Sequence, residues 1–183
     1  MELMEIIRMR RAYRSFQAVE INEELVRDLA MAASLSASCF NNQPWRFVFA
    51  YDADVLDRLR GAMNKGNEWT QAASMIIAVC SRRDLDCLVK EREYYLFDTG
   101  MATAFLILRA TELGLVAHPI AGYDEGKAKD ILGIPADMRL ITLVNVGRHL
   151  LPPNPLLNPK QAEGEKERPE RLPLSEIMKL NHY

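Results

Sequence analysis

The 183-residue chain has few cysteines, and they form no recognisable metal or disulfide pattern. Cys39, Cys80 and Cys87 are odd in number and include no C-x-x-C pair. Zinc clusters and disulfide frameworks are normally recognised from paired, regularly spaced cysteines. The sequence therefore predicts neither a structural disulfide nor a zinc cluster.

Glycine-rich phosphate loops are also missing. Neither a G-x-G-x-x-G nor a G-x-x-x-x-G-K segment occurs, so a Rossmann or P-loop nucleotide site has no support. His118, His149 and His182 lack metal-ligand spacing, and their order suggests no Ser-His-Asp set. We predict no metal site and no catalytic side chain acting as a nucleophile.

The chain lacks a large excess of charge and a long apolar run. A formal net charge of -2 argues against whole-molecule attraction to nucleic acid or to an anionic membrane. No apolar run reaches membrane-spanning length, and residues 1–5 lack the basic-then-apolar layout of a secretory signal. We therefore expect a cytoplasmic protein without a nucleic-acid or membrane partner.

The hydrophobic pattern predicts a mixed α+β fold, and the chain is long enough for one well-buried domain but short for two. Helices are expected near residues 3–7, 22–36, 54–63, 89–113 and 125–132, and strands near 46–51, 74–80, 115–120 and 140–146. This order is not a regular βαβ series.

The composition changes after residue 147. Residues 148–173 are rich in proline and charge and cannot build a core of their own. We expect the main body of the domain at residues 1–150. Residues 151–183 are expected to form an extended arm or flexible tail with a short terminal helix, and to belong to the same domain.

Residues 38–43, which we call the amide loop, hold Ser38, Asn41, Asn42 and Gln43 between a predicted helix and a predicted strand. Pro44 keeps Gln43 out of helical geometry, so the polar groups are expected in a loop. Amides offer donor and acceptor together, as the edge of a flavin or nucleobase requires. A capped helix followed by an ordinary turn is the alternative.

Three arginines, Arg10, Arg11 and Arg14, fall within five residues. Guanidinium groups so spaced can converge on a phosphate through charge-assisted bonds. The alternatives are a solvated basic face, salt bridges to Glu2 and Glu5, or contact with nucleic acid.

Together these segments resemble the nitroreductase family of FMN-dependent oxidoreductases. The resemblance spans nearly the whole chain in four ordered elements: R-[RH]-S-x-[RK]-x-F at Arg10, Arg11, Arg14 and Phe16; S-x-x-N-x-Q-P-W at Ser38, Asn41, Gln43, Pro44 and Trp45; G-L-x-x-x-P-I-x-G-[FY]-D from Gly114 to Asp124; and R-x-P-L-x-E-I from Arg171 to Ile177. Ala12 departs from the pattern, where the family commonly has serine.

The resemblance implies a three-layer α-β-α fold with a mixed, mostly antiparallel central sheet. It implies an intertwined homodimer with FMN at the subunit interface, and an arm that wraps the partner. NADH or NADPH would reduce the flavin at N5, and a nitroaromatic, a quinone or a related small-molecule acceptor would then be reduced on the same face with ping-pong kinetics. The alternatives are other chemistry of the family (dehydrogenase, dehalogenase, flavin reductase or flavin fragmentation) and a non-catalytic flavin-binding protein.

Site residues follow from the same resemblance. The resemblance implies that the FMN phosphate is bound by Arg10, Arg11 and Arg171. It also implies that Arg14 lies at the flavin N1–O2 edge. Residues at the ribityl chain and the pyrimidine edge are matched by Ser38, Asn41 and Gln43. The backbone beside flavin N5 and O4 is matched by Ala121 and Gly122. A flavin-contacting asparagine of the family is matched by Asn67. Asp98, Trp69, Tyr94 and Tyr95 could line the pocket, with a cap, core or interface role as the alternative. A short link at residues 82–88 leaves the substrate gate undefined.

Overall fold

The computed structural model describes residues 2–183. Its helices are α1 (Leu3–Met9), α2 (Glu23–Ser34), α3 (Ala53–Arg60), α4 (Tyr94–Glu112), α5 (Glu125–Leu132), α6 (Pro159–Lys166) and α7 (Leu174–Ile177). Its strands are β1 (Phe16–Gln17), β2 (Arg46–Ala50), β3 (Met75–Ser81), β4 (Leu88–Val89), β5 (Arg92–Glu93), β6 (Val116–Ile120) and β7 (Arg139–His149). Single 3-10 turns lie at Cys39–Asn41, Glu68–Ala72 and Arg83–Leu85.

The long strand β7 organises the main sheet. It pairs with β3, β6 and β1, and β3 pairs in turn with β2; every one of these pairings is antiparallel. The register sets Leu140 opposite Cys80 near one end of β7 and His149 opposite Phe16 at the other end.

Helices cover both faces of this sheet. Alternate residues of β3 point to opposite sides, as strand geometry requires, and all seven of its residues are buried. Met75, Ile77 and Val79 join an apolar cluster with Leu29 of α2 and Leu106 of α4. Ile76, Ala78 and Cys80 join a second cluster with Leu59 of α3, Trp69 and Ala128 of α5. The predicted three-layer α-β-α fold is confirmed, and its sheet, predicted to be mixed and mostly antiparallel, has antiparallel pairings throughout residues 2–183.

The long helix α4 begins later than predicted. It starts at Tyr94 rather than near residue 89, because the small β4–β5 hairpin precedes it. Lys90 at the hairpin turn has a φ of 58°, which a continuing helix does not allow. The link after β3 therefore runs to residue 93 and is longer than predicted.

The expectation of no disulfide was wrong. Cys39 and Cys87 form one, with a Cα–Cα distance of 6.0 Å across 48 residues of sequence. Folding brings the amide loop against the segment before β4, and cysteine spacing alone carries no information about that contact. Cys80 is a free, buried thiol in β3.

The segment after β7 is more ordered than an extended or flexible tail. Asn158 caps α6 through its side chain, and Pro159 occupies the first turn, where its missing N–H costs nothing. Glu165 of α6 is buried against the N-terminal segment. The arm thus packs on its own chain, and its last part, residues 171–183, is exposed throughout.

Among residues 2–183, no helix combines the length and the apolar character needed to cross a membrane.

Candidate functional site

Arginines from the two ends of the chain meet beside α1, and we call Arg10, Arg11, Arg168 and Arg171 the arginine cluster. The Arg168 guanidinium Nη2 donates to the carbonyl oxygens of Arg8 at 2.6 Å and Arg10 at 2.5 Å. Arg11 Nη2 donates to the carbonyl oxygen of Glu167 at 2.8 Å. These bonds fix the C-terminal segment on the N-terminal segment and concentrate positive charge there.

The arginine cluster has no carboxylate partner. Within residues 2–183, none of its four members forms a salt bridge, and Glu5 accepts instead from the backbone N–H of Glu2. Burial lowers the pKa of Arg10, and the positive charges of Arg168, Arg171 and Arg11 lower it further. Like charges held together in this way are stabilised by an anion. Arg168 was not among the predicted site residues, although it lies in the same tail motif as Arg171.

A buried carboxylate anchors the segment between these arginines and β1. Glu165 Oε1 accepts the N–H of Arg14 at 2.8 Å, and its Oε2 accepts that of Ser15 at 3.2 Å. His149 Nε2 lies 3.8 Å from the same carboxylate. Glu165 is occupied by these contacts and fixes the backbone on which Arg14 stands.

A chain of contacts leads from Arg14 to the turn after β6. The Arg14 guanidinium carbon lies 5.9 Å from the centroid of the Trp69 ring. Trp69 Nε1 donates to Asn67 Oδ1 at 3.2 Å, and Asn67 Nδ2 donates to the carbonyl oxygen of Gly122 at 2.8 Å. A Cβ at Gly122 would lie 2.5 Å from Asn67 Nδ2, so a larger residue there would displace the Asn67 amide. The structure thus connects Arg14, Asn67 and Gly122, with Ala121 exposed beside them.

Two buried polar residues of the sheet lie behind this chain of contacts, and neither was predicted as a site residue. His118, only 6 % exposed, donates from Nδ1 to the carbonyl oxygen of Tyr13 at 2.8 Å, and its ring centroid is 4.7 Å from that of Trp69. Burial, aided by the positive charge of Arg14, lowers the pKa of His118 to about 4. Asn145 lies opposite His118 in the strand register, and its amide atoms find no partner within residues 2–183. The sequence does mark Asn145 as unusual, because it places a polar amide within an otherwise apolar strand.

The amide loop has an unusual backbone. Phe40, Asn41 and Gln43 have φ values of 48°, 59° and 50°, in the left-handed region that non-glycine residues rarely adopt. Ser38 Oγ accepts the N–H of Gln43 at 2.9 Å and closes the loop. Asn41 and Gln43 are exposed, and Phe40 is 90 % exposed. Such strain is typical of binding sites. Here it presents two amide side chains to the outside, and Gln43 Nε2 donates to the carbonyl oxygen of Asn41 at 3.3 Å.

Two carboxyl groups lie behind the amide loop, and we call Asp86 and Asp98 the carboxyl pair. Asp98, 1 % exposed, accepts the N–H of Cys39 at 2.6 Å. Burial raises the pKa of Asp98, and the neighbouring Asp86 carboxyl raises it as well. Asp98 therefore supports the amide loop from inside the protein. Of the other residues that could line the pocket, Tyr95 and Trp69 are buried in the core.

The structure does not bring all predicted site residues together in one chain. The arginine cluster adjoins the His149 end of β7, through the stacked rings of Tyr13 and His149. The amide loop precedes β2, whose Arg46 lies opposite Cys80, and Cys80 lies opposite Leu140. Residues 140 and 149 are separated by about 30 Å at about 3.3 Å per residue of strand. Ser38, Asn41 and Gln43 therefore lie far from Arg10, Arg11 and Arg171.

One of the surface recesses lies at the arginine end, and a larger one lies elsewhere. A recess of about 400 Å³ is lined by Arg11, Tyr13, His149 and Arg168, among others. A larger one of about 630 Å³ is lined mainly by apolar residues of β2 and α5 and contains none of the predicted residues.

Comparison with known proteins agrees with the motifs. The profile of the Nitroreductase family matches residues 7–68 and 62–148. A protein of Archaeoglobus fulgidus named "Putative NADH dehydrogenase/NAD(P)H nitroreductase" is 27% identical over 150 residues, which cover 80% of this chain and 84% of that protein.

Solved structures show the same fold. A crystal structure described as an oxidoreductase containing FMN is 26% identical, with a TM-score of 0.84 over 97% of this chain and 91% of that one. Another, from Exiguobacterium sibiricum and described as "a putative nitroreductase in complex with FMN", is 20% identical, with a TM-score of 0.81 over 99% and 98% of the two chains. Since the profile covers most of the sequence and the antiparallel three-layer fold agrees with it, the chain belongs to the nitroreductase family.

Proposed function

We propose that this protein is an FMN-dependent oxidoreductase that uses NADH or NADPH to reduce a nitroaromatic, a quinone or a related small-molecule acceptor. FMN, when bound, supplies the two-electron chemistry between the nicotinamide nucleotide and the acceptor. The residues of this chain bind and orient the reacting molecules.

The observation that carries the proposal is the arginine cluster. Its members lie close enough for their charges to lower the pKa of Arg10, which is partly buried, and none of them forms a salt bridge among residues 2–183. A phosphate monoester dianion supplies the charge and the oxygen acceptors that such a group of donors needs. Arg10, Arg11 and Arg171, with Arg168, are therefore assigned to the FMN phosphate.

The remaining residues fit a flat heterocycle with a hydrogen-bonding edge. Arg14 would place its positive charge near the N1–O2 edge, where it favours the anionic reduced flavin. Ala121 and Gly122 form a turn whose carbonyl at Gly122 is held by Asn67 and by the N–H of Asn64 at 3.0 Å. Ser38, Asn41 and Gln43 would supply amide and hydroxyl contacts to the ribityl chain and the pyrimidine edge.

The separation of the two ends of the sheet supports a site built from two copies of the chain. A single flavin cannot reach both the arginine cluster and the amide loop of one chain. Large apolar side chains are exposed on three helices: Leu3, Met4 and Ile7 on α1, Leu96, Phe97 and Phe105 on α4, and Leu174 and Ile177 on α7. We propose a homodimer that buries these side chains, in which the amide loop of each copy completes the arginine cluster of the other and forms two such sites.

Spectroscopy and rapid kinetics test the proposal. We expect the purified protein to bind FMN, with the absorption of a bound flavin, and to lose that absorption under anaerobic conditions when NADH or NADPH is added. The acceptor should then restore the absorption, and the kinetics should be ping-pong. Failure to bind FMN, or a bound flavin that neither nucleotide reduces, would contradict the proposal.

A further inference from the structure

The disulfide between Cys39 and Cys87 joins the amide loop to the segment before the β4–β5 hairpin. Neither cysteine has a role in the proposed flavin site, and the family resemblance assigns none to them. We propose that Cys39 and Cys87 form a reversible dithiol–disulfide site that an external dithiol reduces, and that its oxidised form holds the amide loop ready to bind flavin. The second half of this proposal rests on the proposed function.

Hydrogen bonds inside the amide loop and contacts to its neighbours hold its conformation. Inside the loop, Ser38 Oγ accepts the N–H of Gln43, and the N–H groups of Asn41 and Asn42 donate to the carbonyl oxygens of Ser38 and Cys39. Outside it, Asp98 accepts the N–H of Cys39, and Asn42 Nδ2 donates to Asp86 Oδ1 at 3.2 Å and to Cys87 Sγ at 3.4 Å. The disulfide is the one covalent link among these, and both contacts of Asn42 are made to the segment that it tethers.

The disulfide is accessible to a reductant. Cys39 and Cys87 are only half-buried, and their neighbours Phe40, Leu88 and Val89 are exposed. The β4–β5 hairpin pairs only with itself among residues 2–183. Cys80 differs in every respect, because it is buried in β3 and burial raises its pKa to about 11. Exposure of this kind characterises disulfides that exchange rather than those that only brace a core.

Exchange proceeds in two balanced steps. A thiolate of the external dithiol attacks Cys39 Sγ; a mixed disulfide forms, the Cys39–Cys87 bond breaks, and Cys87 leaves as a thiolate that takes a proton from water. The side-chain amide Nδ2 of Asn42 already donates to this sulfur and stabilises its negative charge. The second thiolate of the dithiol then attacks the mixed disulfide and releases Cys39, which is also protonated by water. The dithiol is oxidised to a disulfide, and the protein gains two thiols.

Reduction should loosen the amide loop. Three left-handed non-glycine residues persist only while their surroundings hold them there. Without the tether the loop populates other conformations, and flavin binding must then supply the cost of ordering it. We expect the dissociation constant for FMN to rise roughly tenfold on reduction.

The experiment equilibrates the purified full chain in buffers of reduced and oxidised dithiothreitol without denaturant. Thiol labelling followed by mass spectrometry should show labels at Cys39 and Cys87 together, and flavin fluorescence should show weaker FMN binding over the same range. Oxidised dithiothreitol should restore both. Cys87→Ser should bind FMN weakly at every ratio, and Cys80→Ala should respond like the wild type.

Three results would overturn the inference. Labelling of Cys39 and Cys87 only after unfolding would make the bridge a purely structural one. Labelling with unchanged FMN affinity would remove the coupling to the flavin. Zinc retained by the reduced protein would identify a metal site, since Asp86 and both sulfurs lie within 4.8 Å of one another. Failure of both redox forms to bind FMN would count against the proposed function and the coupling, while the labelling would still decide the redox chemistry.

Discussion

At the His149 end of β7 the candidate site residues are held by hydrogen bonds, and at the Leu140 end by a covalent bond. The arginine cluster is positioned by Arg168 and Arg11, which donate to main-chain carbonyls of the opposite chain end. The amide loop is positioned by the Cys39–Cys87 disulfide and by the carboxyl pair. The first end carries unpaired positive charge, and the second carries neutral amides on a strained backbone.

The difference predicts different sensitivities for the two ends. A group of like charges held by hydrogen bonds responds to protonation, to salt and to the charge of its ligand. A strained loop held by a disulfide responds to the redox state, and its dependence on charge comes from the carboxyl pair behind it. Changes that affect one end while leaving the other intact therefore test whether the two are independent parts of one site.

The largest effect is expected at the bridged end. Cys87→Ser opens a loop closed across 48 residues, and a native link of this span typically contributes about 4 kcal/mol to the free energy of unfolding. Urea denaturation under oxidising conditions should show this loss. Wild-type protein in excess dithiothreitol should match the variant, and a stability that reduction leaves unchanged would mean that the tether does not constrain the unfolded chain.

At the arginine end we expect a pH effect of about 3 kcal/mol from His118. Its pKa in the folded protein is about 4, below the ordinary value of about 6.5 for an unfolded chain. The unfolded state therefore binds more protons between these values, so stability is fully present above pH 6.5 and is lost as the pH falls towards 4. Protonation would also add a positive charge beside Arg14 and Arg10.

Urea denaturation at a series of pH values measures this effect. His118→Asn should flatten the pH dependence in this window, whereas the matched change at the exposed His182 should leave it unaltered. An equal slope in wild type and His118→Asn would show that other groups cause the loss.

A change in the arginine cluster should act on affinity rather than on stability. Arg171 is exposed and lies near Arg10, so Arg171→Ala should remove a charged contact worth about 2 kcal/mol and weaken FMN binding by about 30-fold. Riboflavin lacks the phosphate, and its affinity should not change. Arg58→Ala, at an exposed arginine of α3, is the control. Equal losses for FMN and riboflavin would place Arg171 elsewhere in the site.

Sequence patterns predicted most of the fold because each main element has its own periodicity. The apolar run at β3 and the Asn22 cap of α2, which accepts the N–H of Leu25 at 2.9 Å, are local features that a sequence displays directly. β7 is longer than predicted because its polar end pairs with β1. The helix α6 was missed because surrounding prolines dominate the composition, although Asn158 and Pro159 form a normal helix start.

Contacts between distant segments were less predictable. The family resemblance suggested that Arg10 and Arg171 act together, and the structure places them close to each other. The disulfide, the burial of His118 and the distance between the two ends of β7 depend on strand register and tertiary packing, which no local pattern encodes. Asn67 falls between these cases, since the resemblance named it as a flavin-contacting asparagine, but only the structure shows its partners Trp69 and Gly122.

The smallest expected effect concerns Asn67, which joins Trp69 to the turn at Gly122. Asn67→Ala leaves the buried Trp69 N–H without an acceptor and should lower the free energy of unfolding by about 1 kcal/mol. Asn67→Asp keeps that acceptor but sets a carboxylate oxygen against the Gly122 carbonyl, so it should disturb the turn more and weaken FMN binding several-fold. Asn64→Ala is the matched control, because Asn64 contacts Gly122 through its backbone N–H, which alanine retains. Fluorescence titrations measure FMN binding by both variants. If Asn67→Asp bound FMN as tightly as the control, the turn after β6 would lie outside the flavin site. The arginine end would then contribute only phosphate contacts to FMN binding.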